Sequence, residues 1–316
     1  MDTTSHALLQ THGLTKSFPR PGRPPAAALT ELSLTVSTGQ VVGLLGGLGS
    51  GKSTALELIS GQLEPTGGRV VLAGHDVAAH RQQALAQVAA YPFDGADLDP
   101  SLPLTELLSS GESRDLAEAM RVLGLWRKRE EVLGDQPREI RQRVVLVRTL
   151  FSEKPILLFD EPMAALDPRA SFVICARLRR LAEEKKRAVL VATNQPATVA
   201  AICHRLAVLH RGKKCLDARA TELGQALGGA YYRIVLGGRL DARRSAWFDD
   251  LVLKEAQGRT ILSGSIADQA VLQGLLARIR DLGLSLISVN RVEPGPEEVL
   301  EHFMTAPYAE ASGRSP

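Results

Sequence analysis

The sequence predicts an α/β fold with a mostly parallel sheet and a helical insert, followed by a small α+β domain. Short continuous apolar runs recur along the first two thirds of the 316-residue chain, as in strands buried on both faces. Stretches of helical spacing separate these runs. Strands that alternate with helices pack as a parallel sheet covered on both sides. Beyond about Lys214 the texture changes to shorter strand patterns around one amphipathic stripe.

Taken in order, Phe18 to Pro25 is rich in Pro and Gly and is expected to be a turn-rich loop. Leu32 to Val36 alternates apolar and polar residues and predicts a half-buried strand. Val41-Val42-Gly43-Leu44-Leu45 is the first buried strand; it runs into a glycine-rich turn, after which Ser53 to Leu63 has helical spacing. Leu102 to Leu133 is mostly helical and marks a helical subdomain of about residues 95–150. Pro155-Ile156-Leu157-Leu158-Phe159 is the second buried strand and ends in acids. Ser171 to Lys186 is a helix, and Ala188 to Ala192 and Leu206 to Leu209 are further strands. Tyr231 to Leu236, Thr260 to Leu262 and the pattern Leu284, Leu286, Val289 predict the strands of the second domain. Val271, Leu272, Leu275, Leu276 and Ile279 form one face of its helix. The expected units are residues 1–220, residues 221–305 and a disordered tail, 306–316.

Composition narrows the function classes. Hydrophobic residues at 44% and charged residues at 23% are an ordinary globular balance, which excludes a disordered, collagen-like or disulfide-scaffold chain. The net charge of +3 is too small to argue for nucleic acid, and 4% aromatics give no base-stacking platform. The densest charge run, Glu183 to Arg187, balances both signs and reads as a solvated helix end. No apolar run approaches the roughly 18 residues of a bilayer span, and Met1 to Gln10 lacks a signal-peptide pattern. A cytoplasmic location is expected. Cys175, Cys203 and Cys215 form no CxxC pair and are read as reduced thiols, with His204 and His210 as surface-turn residues, not zinc ligands.

Gly46-Gly47-Leu48-Gly49-Ser50-Gly51-Lys52-Ser53, followed by Thr54, fits the pattern G-x-x-x-x-G-K-[ST]. Glycines let successive N–H groups point inward at an anion, and the helix that follows offers its free N–H groups and positive dipole end to phosphate. Lys52 is placed to reach the β/γ-phosphates and the Ser53 hydroxyl to ligate Mg²⁺. Asp160 and Glu161 stand at the carboxyl end of the second buried strand, where ligands bind in such sheets. Asp160 is suited to the Mg²⁺ shell and Glu161 to polarising an attacking water.

These motifs together resemble the nucleotide-binding cassette of an ATP-binding-cassette (ABC) transporter, a P-loop NTPase. Gly13-Leu14-Thr15-Lys16-Ser17-Phe18 is similar to the segment whose aromatic stacks on adenine. Glu161-Pro162 and Ala165-Leu166-Asp167-Pro168 resemble the acid-proline step and D-loop. Gln142-Arg143-Val144 with Arg148 resembles the helix after the signature, and Leu206 to Lys213 the strand and turn that close the cassette. The resemblance covers about residues 7–218. More weakly, Glu293 to Phe303 resembles the closing helix of the ABC-2 branch of drug and heme exporters. It implies ATP and Mg²⁺ as cofactors, with nucleotide contacts from Phe18, Gly46 to Thr54, Asp160 and Asp167. It further implies Mg²⁺ held by Ser53, Asp94 and Asp160, and hydrolysis by Glu161 with position 194. The implied partners are an integral-membrane permease and a second cassette, homo- or heterodimeric, at the inner face of the membrane, with no nucleic acid.

Three motifs depart from the family pattern. The signature reads Gln136-Pro137-Arg138-Glu139-Ile140 before Arg141-Gln142-Arg143, so a serine and a glycine give way to Pro137 and Glu139. Proline has no N–H to offer a phosphate, and a glutamate repels one. An alternative alignment uses Leu133-Gly134-Asp135-Gln136 as a shortened signature. The Q-loop reads Tyr91-Pro92-Phe93-Asp94, whose acid is one methylene shorter than the family's Gln or Glu, and whose Phe93 could pack on a permease helix. The switch histidine is Asn194 after Thr193; asparagine can donate to phosphate but carries no proton to give up. The expectation is an exporter's ATP-binding subunit with weak hydrolysis, or alternatively a pseudo-ATPase scaffold that binds ATP without turnover. A soluble ABC protein of ribosomes or DNA is disfavoured by a single cassette and small net charge.

Overall fold

The computed structural model describes residues 6–92, 98–108, 114–164, 166–195, 202–226, 229–240, 248, 251–266 and 268–305. Its core sheet has the order β10 (Lys213–Arg219), β9 (Arg205–His210), β3 (Val41–Leu45), β8 (Ala188–Thr193), β7 (Ile156–Asp160), β6 (Val88–Tyr91). All neighbours are parallel except β10, which is antiparallel to β9. A second, antiparallel sheet has the order β2 (Arg23–Ser37), β1 (Ala7–Arg20), β4 (Gly67–Leu72), β5 (His75–Asp76).

Side chains alternate across a strand, so each core strand feeds two cores. Val42 and Leu44 of β3 and Leu158 of β7 join Leu9 and Leu34 of the antiparallel sheet around helix α1 (Lys52–Ile59), with Ala84 of α2 (Arg81–Leu85) at the margin. Val41 and Leu45, with Leu157 and Phe159, face the other way. There they pack on the helical insert, α3 (Leu104–Leu107), α4 (Arg114–Val122) and α5 (Arg138–Leu150), and on α6 (Pro168–Glu183). Phe159 is completely buried in this second core. Phe159→Ala is expected to lower unfolding free energy by about 3–5 kcal/mol in a urea titration, the range for an emptied aromatic site.

The small domain is an antiparallel sheet in the order β12 (Val252–Ala256), β13 (Arg259–Ile266), β11 (Ala230–Gly237), β14 (Ser285–Arg291). One face packs on α7 (Gln269–Asp281), where Ile279 meets Ile234, Leu236 and Leu262. The last helix, α8 (Pro296–Thr305), crosses back. Val299 and Leu300 are buried in the second core of the first unit, with Phe303 and Met304 against it. Its opposite side carries Glu298 and Glu301, which pair with Arg233 of β11 and Lys254 of β12. The helix expected within the 221–305 unit thus packs on both units.

One further expectation is corrected. Phe18 to Pro25 is a continuous hairpin: Arg20 pairs with Arg23 around Pro21-Gly22, with Gly22 at φ +67°. Its Pro and Gly residues sit at and beside the tip, and the exposed strand ends need no apolar alternation, so the sequence reads there as loop. His204 stands in the bend before β9 and His210 at the end of β9, beside the turn at 211–212, in keeping with the expected surface turns. The Nδ1 of His204 accepts the N–H of Val41 at 3.0 Å, and that of His210 lies 3.3 Å from the carbonyl of Met304. Strands β4 and β6 escape sequence reading because one opens on two glycines and the other is a short, alanine-rich run.

Candidate functional site

Strand β3 is buried at every residue and ends where the glycine-rich turn begins. Gly46 has no room for a side chain: a Cβ there would stand 2.3 Å from Ser50 Oγ and 2.5 Å from the carbonyl of Leu209. Gly51 adopts φ +101°, and its Cβ would meet the carbonyl of Ala28 at 2.5 Å. No side chain caps α1, so its first N–H groups are free of a cap as the turn delivers them. The turn is braced from the turn after β9: the N–H of Gly212 donates to the carbonyl of Ser50 at 2.9 Å, and the N–H of Thr30 to that of Gly212 at 2.8 Å. The hydroxyl of Ser50 is buried without a partner, while Leu48 projects almost fully into solvent.

Lys52 folds back over this turn. Its ammonium donates to the carbonyls of Gly46 at 2.8 Å and Gly47 at 3.1 Å and lies 3.9 Å from Glu161 Oε1. Burial pulls its pKa down, opposed by the negative charges of Glu161 and then Asp160. Asp160 is pushed up by burial, against the Ser53 hydroxyl hydrogen bond and the Lys52 charge. Its Oδ1 is buried with no hydrogen-bond partner. A buried carboxylate oxygen left unpaired, with a hydroxyl on the same group, fits a hard divalent cation with oxygen ligands such as Mg²⁺. The same burial and charge raise the pKa values of Glu57 and Tyr91, both of which feel Asp160.

Glu161 begins the turn after β7 at φ +46°, an uncommon conformation for a residue with a side chain. Two bonds from β8 hold it there. Its N–H donates to the carbonyl of Ala192 at 2.8 Å, and Thr193 Oγ1 donates to its Oε2 at 2.7 Å. Asn194, the next residue, is exposed.

The structure therefore brings Gly46 to Ser53, Asp160 and Glu161 together, with Thr54 half-buried in the first turn of α1. Phe18 is 38% exposed on β1 opposite Ala26, on the hairpin whose Ala28 touches Gly51; the Lys16 ammonium lies 5.4 Å from its ring centre. Asp167 acts as the cap of α6, its Oδ1 accepting the N–H of Ala170 at 2.8 Å. Asp94 and Phe93 of the Q-loop and Ala165 of the D-loop lie outside the described residues. Sequence reasoning placed Thr193 only beside the switch position and Gly212 only in a closing turn, and gave neither a contact with the site. The signal for Gly212 was a glycine between two strand patterns, at φ +80° with Ala28 O only 2.8 Å from its Cβ position. Thr193 carried no signal of its contact with Glu161, because only the fold sets β8 beside β7.

Residues 136–139 lie at the start of α5. The carbonyl of Pro137 takes the first helical N–H groups, from Ile140 and Arg141, both at 3.1 Å. Pro137, Arg138 and Glu139 are exposed, whereas Gln136 is buried and its side-chain amide donates to Glu131 and the carbonyl of Val132. Leu133 to Asp135 is a separate 3-10 turn, with the N–H of Gly134 bonded to the carbonyl of Pro100 at 2.7 Å. Leu133 to Asp135 thus directly precedes Gln136 and the helix cap Pro137, while Arg138 and Glu139 open α5 itself.

A family model described as ABC transporter matches residues 29–164, and one described as Domain of unknown function (DUF8691) matches residues 231–290. The thiamine import ATP-binding protein of Jannaschia sp. (strain CCS1) is 33% identical over 203 residues, which span 60% of this chain and 86% of that protein. The Nod factor export ATP-binding protein I of Cupriavidus pinatubonensis is 29% identical over 244 residues, 74% of each. A solved ATP-binding subunit of an ABC transporter superposes with a TM-score of 0.59 at 26% identity, covering 70% of this chain and 93% of that one.

Proposed function

The chain belongs to the ATP-binding cassettes of ABC transporters, and from that premise we propose that it binds MgATP at the phosphate loop, couples to a separate export permease and hydrolyses ATP slowly. Cassettes of this family bind ATP or ADP, dimerise and pair with permease domains. Among the described residues no helix is long and apolar enough to cross a membrane, so in this reading the permease supplies the span and holds the chain at the inner membrane face. The resemblance of residues 293–303 to an exporter's closing helix supports the direction; the similar relatives include both an importer and an exporter.

In this reading the turn from Gly46 to Gly51 cradles the phosphates and Lys52 exchanges its two carbonyl partners for phosphate oxygens. Ser53 and Asp160 hold Mg²⁺, with Asp94 as a further ligand. When bound, the ion neutralises charge developing on the β- and γ-phosphoryl oxygens. Phe18 stacks on the base, and Asp167 sets the turn that faces a second cassette. Glu161 polarises the attacking water. The observation that carries the reading is the convergence of Lys52, Ser53, Asp160 and Glu161 at the carboxyl ends of β3 and β7.

Slow hydrolysis rests on Pro137 and Glu139, exposed at the start of α5, and on Asn194. Phosphate release by the chain with its permease in vesicles tests it. The expected rate is low but measurable, and Glu161→Gln reduces it to background while MgATP binding persists. Rapid release removes the slow-turnover part. Tight binding with no release at all moves the chain to the pseudo-ATPase reading, and no binding removes the proposal altogether.

A further inference from the structure

We propose that Thr193 is a positioning residue that holds the Glu161 carboxylate for water attack, a role that the exposed Asn194 beside it does not fill. The inference rests on the reading of Glu161 as the water-polarising group. Thr193 is 2% exposed and closes β8. In the parallel register it lies beside Leu45, the last residue before the phosphate loop. Its hydroxyl has one proton to give. The oxygen already accepts the N–H of Gln195 at 3.2 Å, and the proton goes to Glu161 Oε2 at 2.7 Å. Glu161 Oε1 is left facing Lys52 at 3.9 Å.

The two anchors of the carboxylate differ in what becomes of them when nucleotide arrives. Lys52 turns to the phosphates and its hold on Glu161 weakens. Thr193 sits at the buried end of β8, and its oxygen is held by the backbone N–H of Gln195, so it stays. Among the described residues Thr193 is then the side chain that keeps Glu161 aimed. This matters because Glu161 stands at φ +46°, and its N–H bond to the Ala192 carbonyl fixes the main chain but not the carboxylate. One carboxylate oxygen is fixed and the other is left to accept a hydrogen bond from the attacking water.

The test uses the full chain with its permease. Thr193→Val keeps the shape and removes the proton; Thr193→Ser keeps the proton. A lost hydrogen bond to a charged group corresponds to roughly a tenfold to hundredfold change. The expected result is a fall in kcat of that size in Thr193→Val, with KM for MgATP changed less than about twofold, and recovery in Thr193→Ser. In a Glu161→Gln background Thr193→Val should change nothing further, because its effect passes through that carboxylate. A wild-type rate in Thr193→Val while Glu161→Gln is inactive overturns the positioning role and leaves Glu161 standing. Equal loss in the Val and Ser variants overturns it too, since that is a packing defect. Turnover that survives Glu161→Gln overturns the parent reading and this one with it.

Discussion

Lys52→Ala abolishes measurable nucleotide binding: calorimetric titration of MgATP is expected to give no heat where the unaltered chain gives a saturating curve. The size of the effect follows from geometry. The ammonium is nearly buried and aimed along the turn, held by the carbonyls of Gly46 and Gly47 that phosphate oxygens would replace. A charge-assisted contact in so poorly solvated a place is about twice as strong as a neutral one. With the loss of charge balance beside Asp160 and Glu161, Kd is expected to rise about 100-fold or more, which is roughly 2.7 kcal/mol. The variant should still fold, because the turn is braced independently by Gly212 and Ala28. Wild-type heats from a folded Lys52→Ala protein would remove the phosphate site from this turn.

The opposite experiment has an effect of similar size. Restoring a family-like motif with Pro137→Ser, Glu139→Gly and Asn194→His is expected to raise steady-state phosphate release about 100-fold, the scale on which one positioned donor acts at a developing charge. All three positions are exposed, so nothing in the core resists the exchange. Pro137→Ser returns an N–H at the helix start, Glu139→Gly removes an anion from the path of a triphosphate, and Asn194→His returns a titratable donor. The glycine weakens the first turn of α5 by about 1 kcal/mol, which the thirteen-residue helix can absorb. An unchanged rate would mean that these positions do not limit turnover.

Much of this was legible in the chain. The phosphate loop announces itself because glycine, lysine and serine at fixed offsets have few other uses, and the buried strand before it is a bare apolar run. Asp160 and Glu161 are legible for the same reason: acids that follow Ile-Leu-Leu-Phe stand at a strand end. Thr193 is not, since a threonine at the end of Val-Leu-Val-Ala-Thr looks like any strand terminus until β7 lies beside it. The double duty of α8 is hidden likewise. Its apolar positions Val299, Leu300 and Phe303 predict an amphipathic helix but not which surface receives it, and the charges that fix its other side belong to strands about fifty residues and more upstream. The exposed hairpin around Gly22 reads as loop because water, not a core, faces its ends.

Helix α8 also sets the order in which the molecule can be completed during synthesis. Val299 and Leu300 close a core whose other members lie mainly within the first 223 residues. A ribosome that has released those residues has made a cassette whose core still lacks Val299 and Leu300, and the arrival of α8 completes it. Shortened chains that stop at the end of β10 would lack them permanently, inviting self-association in preparations meant to isolate the nucleotide-binding half.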